Sequence, residues 1–209
     1  MKTKSLSRNT SYIVVFLFLF TLMGCVNSNK KQTSEITETE TQVELKPFFK
    51  LSLAQWSLHN FVREEHGDPF QFASMANEMG FEGLEYVSQL YTDKIELLGL
   101  DKVIDSLKTM SELSGMHNVL IMVDGEGDLA DPDETKRNEA VENHKKWVDA
   151  AQKLGCHSIR VNTFGTNDPE VWKVTVVDGL KKLSEYAATK GINVLCENHG
   201  WLSSDVPKL

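Results

Sequence analysis

The sequence has 209 residues, 41% of them hydrophobic, and 22 Lys and Arg stand against 30 Asp and Glu for a formal net charge of −8. Neutralising phosphates needs a basic groove or stripe, and none is visible here, which sets nucleic-acid binding aside. The acidic balance says nothing positive about a small neutral ligand.

At the beginning, Lys2, Lys4 and Arg8 precede an apolar run from Tyr12 to Phe20 and then Leu22-Met23-Gly24-Cys25. The run is too short for a comfortable permanent span, and a small residue precedes the cysteine, so residues 1 to 24 read as a signal peptide. Leu-Met-Gly-Cys resembles the bacterial lipobox, which implies cleavage before Cys25 and lipidation of its thiol. Val26 is not the Asp that resembles an inner-membrane retention signal, so the expectation is an outer-membrane lipoprotein facing the periplasm. Residues 25 to 46 are mostly Ser, Thr, Asn, Gln, Glu and Lys, too polar to offset the entropy of ordering, and read as a tether. Loss of residues 1 to 24 takes 3 of the 22 basic side chains and none of the 30 acidic ones, leaving 19 and a net charge of −11.

From Phe49 the chain repeats strand, loop and helix. Phe49 to Ser57 reads as the first strand, followed by a helix from Pro69 to Met79 with Asp68 as its N-cap. Phe81 to Tyr86 is the second strand, and Asp101 to Leu113 the second helix, ended by Gly115. Asn118 to Val123 is the third strand, before the polar loop Asp124-Gly125-Glu126-Gly127-Asp128. A long helix from Asp133 to Leu154 closes at Gly155. His157 to Asn162 is the fourth strand, Pro169 to Thr189 the fourth helix, and Ile192 to Cys196 the fifth strand. That last strand reads as buried, as do the thiols of Cys156 and Cys196. These two should not pair, because they fall at opposite ends of neighbouring parallel strands, about 10 Å apart.

A strand start every 35 residues or so suits right-handed βαβ units and a parallel α/β fold. A doubly wound open sheet and a (β/α)8 barrel both satisfy it. No G-x-G-x-x-G follows the first strand and no phosphate loop occurs, which weakens the nucleotide-binding open sheet. The barrel places polar groups at the carboxyl ends of its strands. Here those ends carry Ser57 and His59, then Glu85, Asp124 and Glu126, Asn162, and finally Glu197 and His199. Each has a duller reading as a turn former or a solvated loop residue. Five polar tips in phase favour a pocket. Arg160 shares a face with Asn162 by alternation, and so either points inward to meet carboxylates or snorkels past a helix.

With Gly80-Phe81-Glu82-Gly83-Leu84-Glu85, Ile159-Arg160-Val161-Asn162 and Cys196-Glu197-Asn198-His199-Gly200-Trp201-Leu202-Ser203-Ser204-Asp205 in view, the chain resembles the sugar phosphate isomerase/epimerase family of xylose-isomerase-like barrels. The resemblance implies one divalent ion, Mn, Mg or Co, held by carboxylates and a histidine from strands five to eight. Glu197 matches the strand-five ligand, and in ketose epimerases of the group that glutamate also moves a proton. Such an ion acidifies the α-proton of a hydroxyketone and stabilises the resulting enediolate. On this reading Glu197 and His199 are catalytic, with Glu197 on the metal. His59, Glu85, Asp124, Asn162 and Asn198 contact a small-molecule carbohydrate. Epimerases of the group carry a second glutamate six residues on, where Ser203 stands. Related apurinic endonucleases place histidines where Glu85 and Asp124 stand, which disfavours a nuclease. A full barrel takes about 250 residues. The expected fold is therefore the first five βα units of a TIM barrel from residue 47 to 209, C-terminally truncated and inactive as it stands, with the other metal ligands beyond Leu209. The alternative is a carbohydrate-binding lipoprotein without turnover.

Overall fold

A computed structural model describes residues 48–205. The expected signal peptide, Cys25 and the tether lie outside the described residues. Five strands pair in parallel in chain order: β1 (Ser52–Ala54), β2 (Gly83–Val87), β3 (His117–Val123), β4 (Ser158–Val161) and β5 (Asn193–Cys196). Neighbours in sequence are neighbours in space, as in barrel winding and unlike a doubly wound sheet, whose order reverses at a switch point.

Between them run α1 (His59–Arg63), α2 (Phe72–Glu78), α3 (Thr92–Leu98), α4 (Leu100–Leu113), α5 (Glu134–Leu154) and α6 (Pro169–Thr189). The long helices start where capping chemistry dictates. Asp133 Oδ1 accepts from the amides of Thr135 and Lys136, and Asp168 Oδ1 from those of Glu170 and Val171. Each such cap is worth about 1 kcal/mol. Helices cover one face of the sheet, where Ile121, Val123, Ile159 and Val161 are buried. Each of these side chains contributes about 1.5–3 kcal/mol through removal from water. The last helix seats closely: a Cβ at Gly179 would lie 2.0 Å from the carbonyl oxygen of Leu129. That carbonyl therefore requires glycine in the middle of α6. Thr175 Oγ1 donates to the neighbouring carbonyl of Ala130 at 3.0 Å.

Three expectations change. The first strand is shorter, because Gln55 leaves the ladder and is buried, donating to Tyr91 Oη at 2.7 Å and accepting from the amide of Val87 at 3.0 Å. The chain then turns into a 3-10 helix over Gln55–Leu58. A helix not foreseen, α3, precedes α4, and Gly99 with φ 83° separates the two. The fifth strand is not buried: among the described residues β5 pairs only with β4, so Leu195 is 41% exposed and Cys196 is exposed too. Cys156 is buried as expected, which pushes its thiol up to about 12, and both cysteines are free.

Candidate active site

Alternation and register together decide which side chains share the face away from the helices. Ala54 sits opposite Glu85, Glu85 opposite Leu120, Met122 opposite Arg160, and Arg160 opposite Leu195. Two residues further along, past the strand ends, the same face carries Asp124, Asn162 and Glu197. The ladder continues that far, since the amide of Glu197 donates to the carbonyl of Val161 at 3.1 Å. A cleft of about 910 Å³ opens there. His59, Glu85, Asp124, Asn162, Glu197 and His199 all line it. Asn198 does not. It is exposed, because alternation turns it away from the face that Glu197 shares.

Arg160 points inward and finds carboxylates. Its Nη1 forms an ion pair with Glu197 Oε2, donates to Asn162 Oδ1 at 3.2 Å and lies 3.9 Å from Asp124 Oδ1. Asn162 Nδ2 in turn donates to Asp124 Oδ1 at 2.6 Å. Arg160 and Asp124 are largely withdrawn from water, with side chains 15% and 18% exposed, while that of Glu197 is 35% exposed. His199 Nδ1 lies 2.9 Å from Glu197 Oε2, and because a carboxylate accepts, the Nδ1–H donates to it. Ser203, which stands where epimerases of the group carry a second glutamate, is buried. Its hydroxyl donates to the carbonyl of Gly200 at 2.8 Å and accepts from the amide of His199 at 3.0 Å, fixing the turn that presents His199.

Across the cleft, Glu85 Oε1 accepts from Ser52 Oγ at 2.5 Å. His59 Nδ1 is 2.6 Å from the carbonyl oxygen of Trp56, and its ring stacks on the Trp56 indole at 4.6 Å. Arg63 lies over the indole, 4.7 Å from its centroid. Trp56, Phe164 and His144 also line the cleft and were not singled out from sequence. For His144 a signal existed: it interrupts the apolar stripe Ala140, Val141, Trp147, Val148 and Ala151 of α5.

A divalent cation needs several converging oxygen or nitrogen donors. Glu197 has the chemistry of one ligand, a carboxylate at a strand end facing the cleft, with His199 beside it. Among the described residues no three acid, histidine or cysteine side chains converge as a cation site. Arg160, moreover, already neutralises the Glu197 carboxylate. The described residues on their own therefore do not make a complete cation site.

Residues 73–207 match the family model described as xylose isomerase-like TIM barrel. The chain belongs to that family. Among solved structures it is similar to a D-psicose 3-epimerase from Clostridium cellulolyticum solved with D-tagatose, at 16% identity and a TM-score of 0.56, covering 70% of this chain and 51% of that one. It is likewise similar to the IolI protein solved with a zinc atom, at 16% identity and TM-score 0.55, covering 71% and 51%. A sugar phosphate isomerase/epimerase from Parabacteroides distasonis matches at 16% identity and TM-score 0.52, covering 73% and 52%. The chain thus spans about half the length of the family structures it matches. No curated protein matches the sequence. At these identities the likeness extends to the family's fold, a parallel sheet with helices on one face.

Proposed function

We propose that this protein acts on a carbohydrate or polyol as a sugar isomerase or epimerase, moving a proton next to a carbonyl through an enediolate. The observation that carries this reading is the Glu197–Arg160–Asp124 cluster at the carboxyl ends of parallel strands, inside a cleft of about 910 Å³. Clefts of roughly 300–1,000 Å³ hold small ligands, and this end of the sheet is where family folds place chemistry.

Glu197 is the base. Its carboxylate takes the proton from the carbon beside the carbonyl, the electron pair of that C–H bond moves into the new C=C bond, and the carbonyl oxygen becomes an oxyanion. Arg160 supports that charge. All three of its contacts run through Nη1, so its remaining N–H donors point to no other described residue. His199 holds Glu197 in place through Nδ1. Trp56 and Phe164 supply apolar walls for the faces of a sugar ring. A divalent ion, Mn, Mg or Co, with Glu197 as one ligand would supply further polarisation of the carbonyl. Cys25 carries the lipid that anchors the domain to the outer membrane, facing the periplasm. No described helix is long and apolar enough to cross a membrane.

One observation favours a second reading, a carbohydrate-binding protein without turnover. The buried Ser203 hydroxyl is committed to its turn, so it offers no second acid or base beside Glu197. The test incubates D-fructose in deuterated water with Mn²⁺ and the protein as its gene encodes it. Deuterium should enter at C1 or C3, and Glu197→Gln should abolish this while leaving binding within a few-fold. Binding without any exchange would replace the enzyme with the binder.

A further inference from the structure

Away from the strand ends, one more polar side chain opens on the cleft. His144 lies on the buried face of α5 and is 3% exposed, yet it lines the cleft together with Asp124, Gly127 and Asp128. Its Nδ1 is 2.7 Å from the carbonyl oxygen of Ala140. A carbonyl only accepts, so Nδ1 holds the ring proton and Nε2 is left as a bare lone pair. Among the described residues Nε2 has no hydrogen-bond partner. Nor is it sealed in the core: the only fully buried and unpartnered side-chain nitrogen or oxygen among the described residues is Thr163 Oγ1. The lone pair therefore reaches the cleft. Burial lowers the imidazole pKa, opposed by the Ala140 carbonyl and by Glu126 and Asp124 on the loop after β3, while Lys146 on α5 adds to the lowering. The ring is thus kept neutral and accepting at neutral pH.

The surroundings hold this group still. The loop from Asp124 to Asp128 is pinned to the same turns of α5, with Trp147 Nε1 donating to Glu126 Oε1 at 2.7 Å and Asn143 Nδ2 to the Glu126 carbonyl at 3.3 Å. At Gly127, with φ 94°, a Cβ would lie 3.0 Å from that of Ala140, so the loop rests directly on the helix beside His144. A leucine would fill the His144 position without the desolvation that a buried imidazole costs.

We propose that His144 is a further residue of the ligand site, its Nε2 accepting a hydrogen bond from a hydroxyl of the sugar beside Asp124. The inference rests on the carbohydrate reading of the cleft and narrows it. A neutral imidazole nitrogen and the carboxylates of Asp124 and Asp128 all accept, so this end of the cleft takes donors. The ligand presents hydroxyls here and keeps any phosphate or carboxylate elsewhere.

The experiment uses the full chain with ¹⁵N-labelled histidine and D-fructose as the probe. Long-range ¹H–¹⁵N correlation reads the tautomer of His144, and tryptophan fluorescence follows binding independently. The Nδ1–H tautomer is expected, with the Nε2 resonance moving in step with the fluorescence as D-fructose saturates the site. His144→Phe should weaken binding about tenfold, and His144→Gln, which keeps an acceptor, should restore much of it. An Nε2–H tautomer, or binding seen by fluorescence with Nε2 unmoved, overturns the role of His144 alone. No fluorescence response up to high concentrations of the sugar overturns the carbohydrate reading and takes His144 with it.

Discussion

Arg160 and Glu197 form an ion pair across adjacent parallel strands, with Asn162 and Asp124 gathered on the same guanidinium nitrogen. β4 contributes the cation and the end of β5 the carboxylate, so the register of the two strands is what makes the pair. Without Arg160, the carboxylates of Glu197 and Asp124 would stand in the cleft with no counter-charge between them.

Arg160→Met should accordingly destabilise the fold by about 1 kcal/mol, because Asp124, 18% exposed, loses a neighbouring cation that water replaces only in part, while Glu197 at 35% is better solvated. Adding Glu197→Gln should recover part of that loss. Urea unfolding of the four members of this double-mutant cycle measures the coupling. Strictly additive effects would show that the two side chains do not depend on each other.

The clamp between α5 and α6 should depend on pH. Lys182 and then Arg137 hydrogen-bond the Asp178 carboxylate, each at 2.7 Å, and hold its pKa below the ordinary value despite some desolvation. A carboxyl whose folded pKa is depressed adds stability above its unfolded value of about 4, lost as pH falls through the folded value. The side chain is 33% exposed, so solvent screening limits the effect to about 1 kcal/mol. Asp178→Asn should therefore cost about that much at pH 7 and almost nothing near pH 2 on the same scale. An equal deficit at both pH values would mean that shape, not charge, is what the variant disturbs.

The lipid anchor proposed at Cys25 makes a biochemical prediction. Cys25→Ser should stop incorporation of labelled palmitate and leave the precursor uncleaved at that position. Labelling of the variant at the level of the parent would remove the anchor from the description.

The local chemistry of the chain determined a good deal by itself. Pro169 to Thr189 is helical over the span read from the sequence, because Asp168 caps its start and Gly191 follows its end. Gly155 closes α5 in the left-handed conformation, as a C-cap glycine should. Glu197 joins Arg160 and Asn162 through the register of β5 on β4, whereas period-two alternation was enough to put Arg160 and Asn162 on one face, since side chains on one strand must alternate faces. Such features depend on residues within a few positions of one another, and short-range sterics and hydrogen bonding settle them.

Other features depend on what lies across space. Whether Arg160 pointed inward or out past a helix turned on the carboxylates of Glu197 and Asp124, which two separate strands deliver. The end of β1 was decided by Val87 and Tyr91, which draw Gln55 out of the ladder from more than thirty positions away. Cys196 looked buried by its apolar run, but the cover of a strand face comes from its neighbours, and β5 has only β4 beside it among the described residues. His144 is a polar break in the apolar stripe of α5, and nothing local says what it faces. The loop from Asp124 to Asp128, folded onto α5, brings Asp124 and Asp128 into the cleft that His144 also lines, a neighbourhood that only contacts across space create.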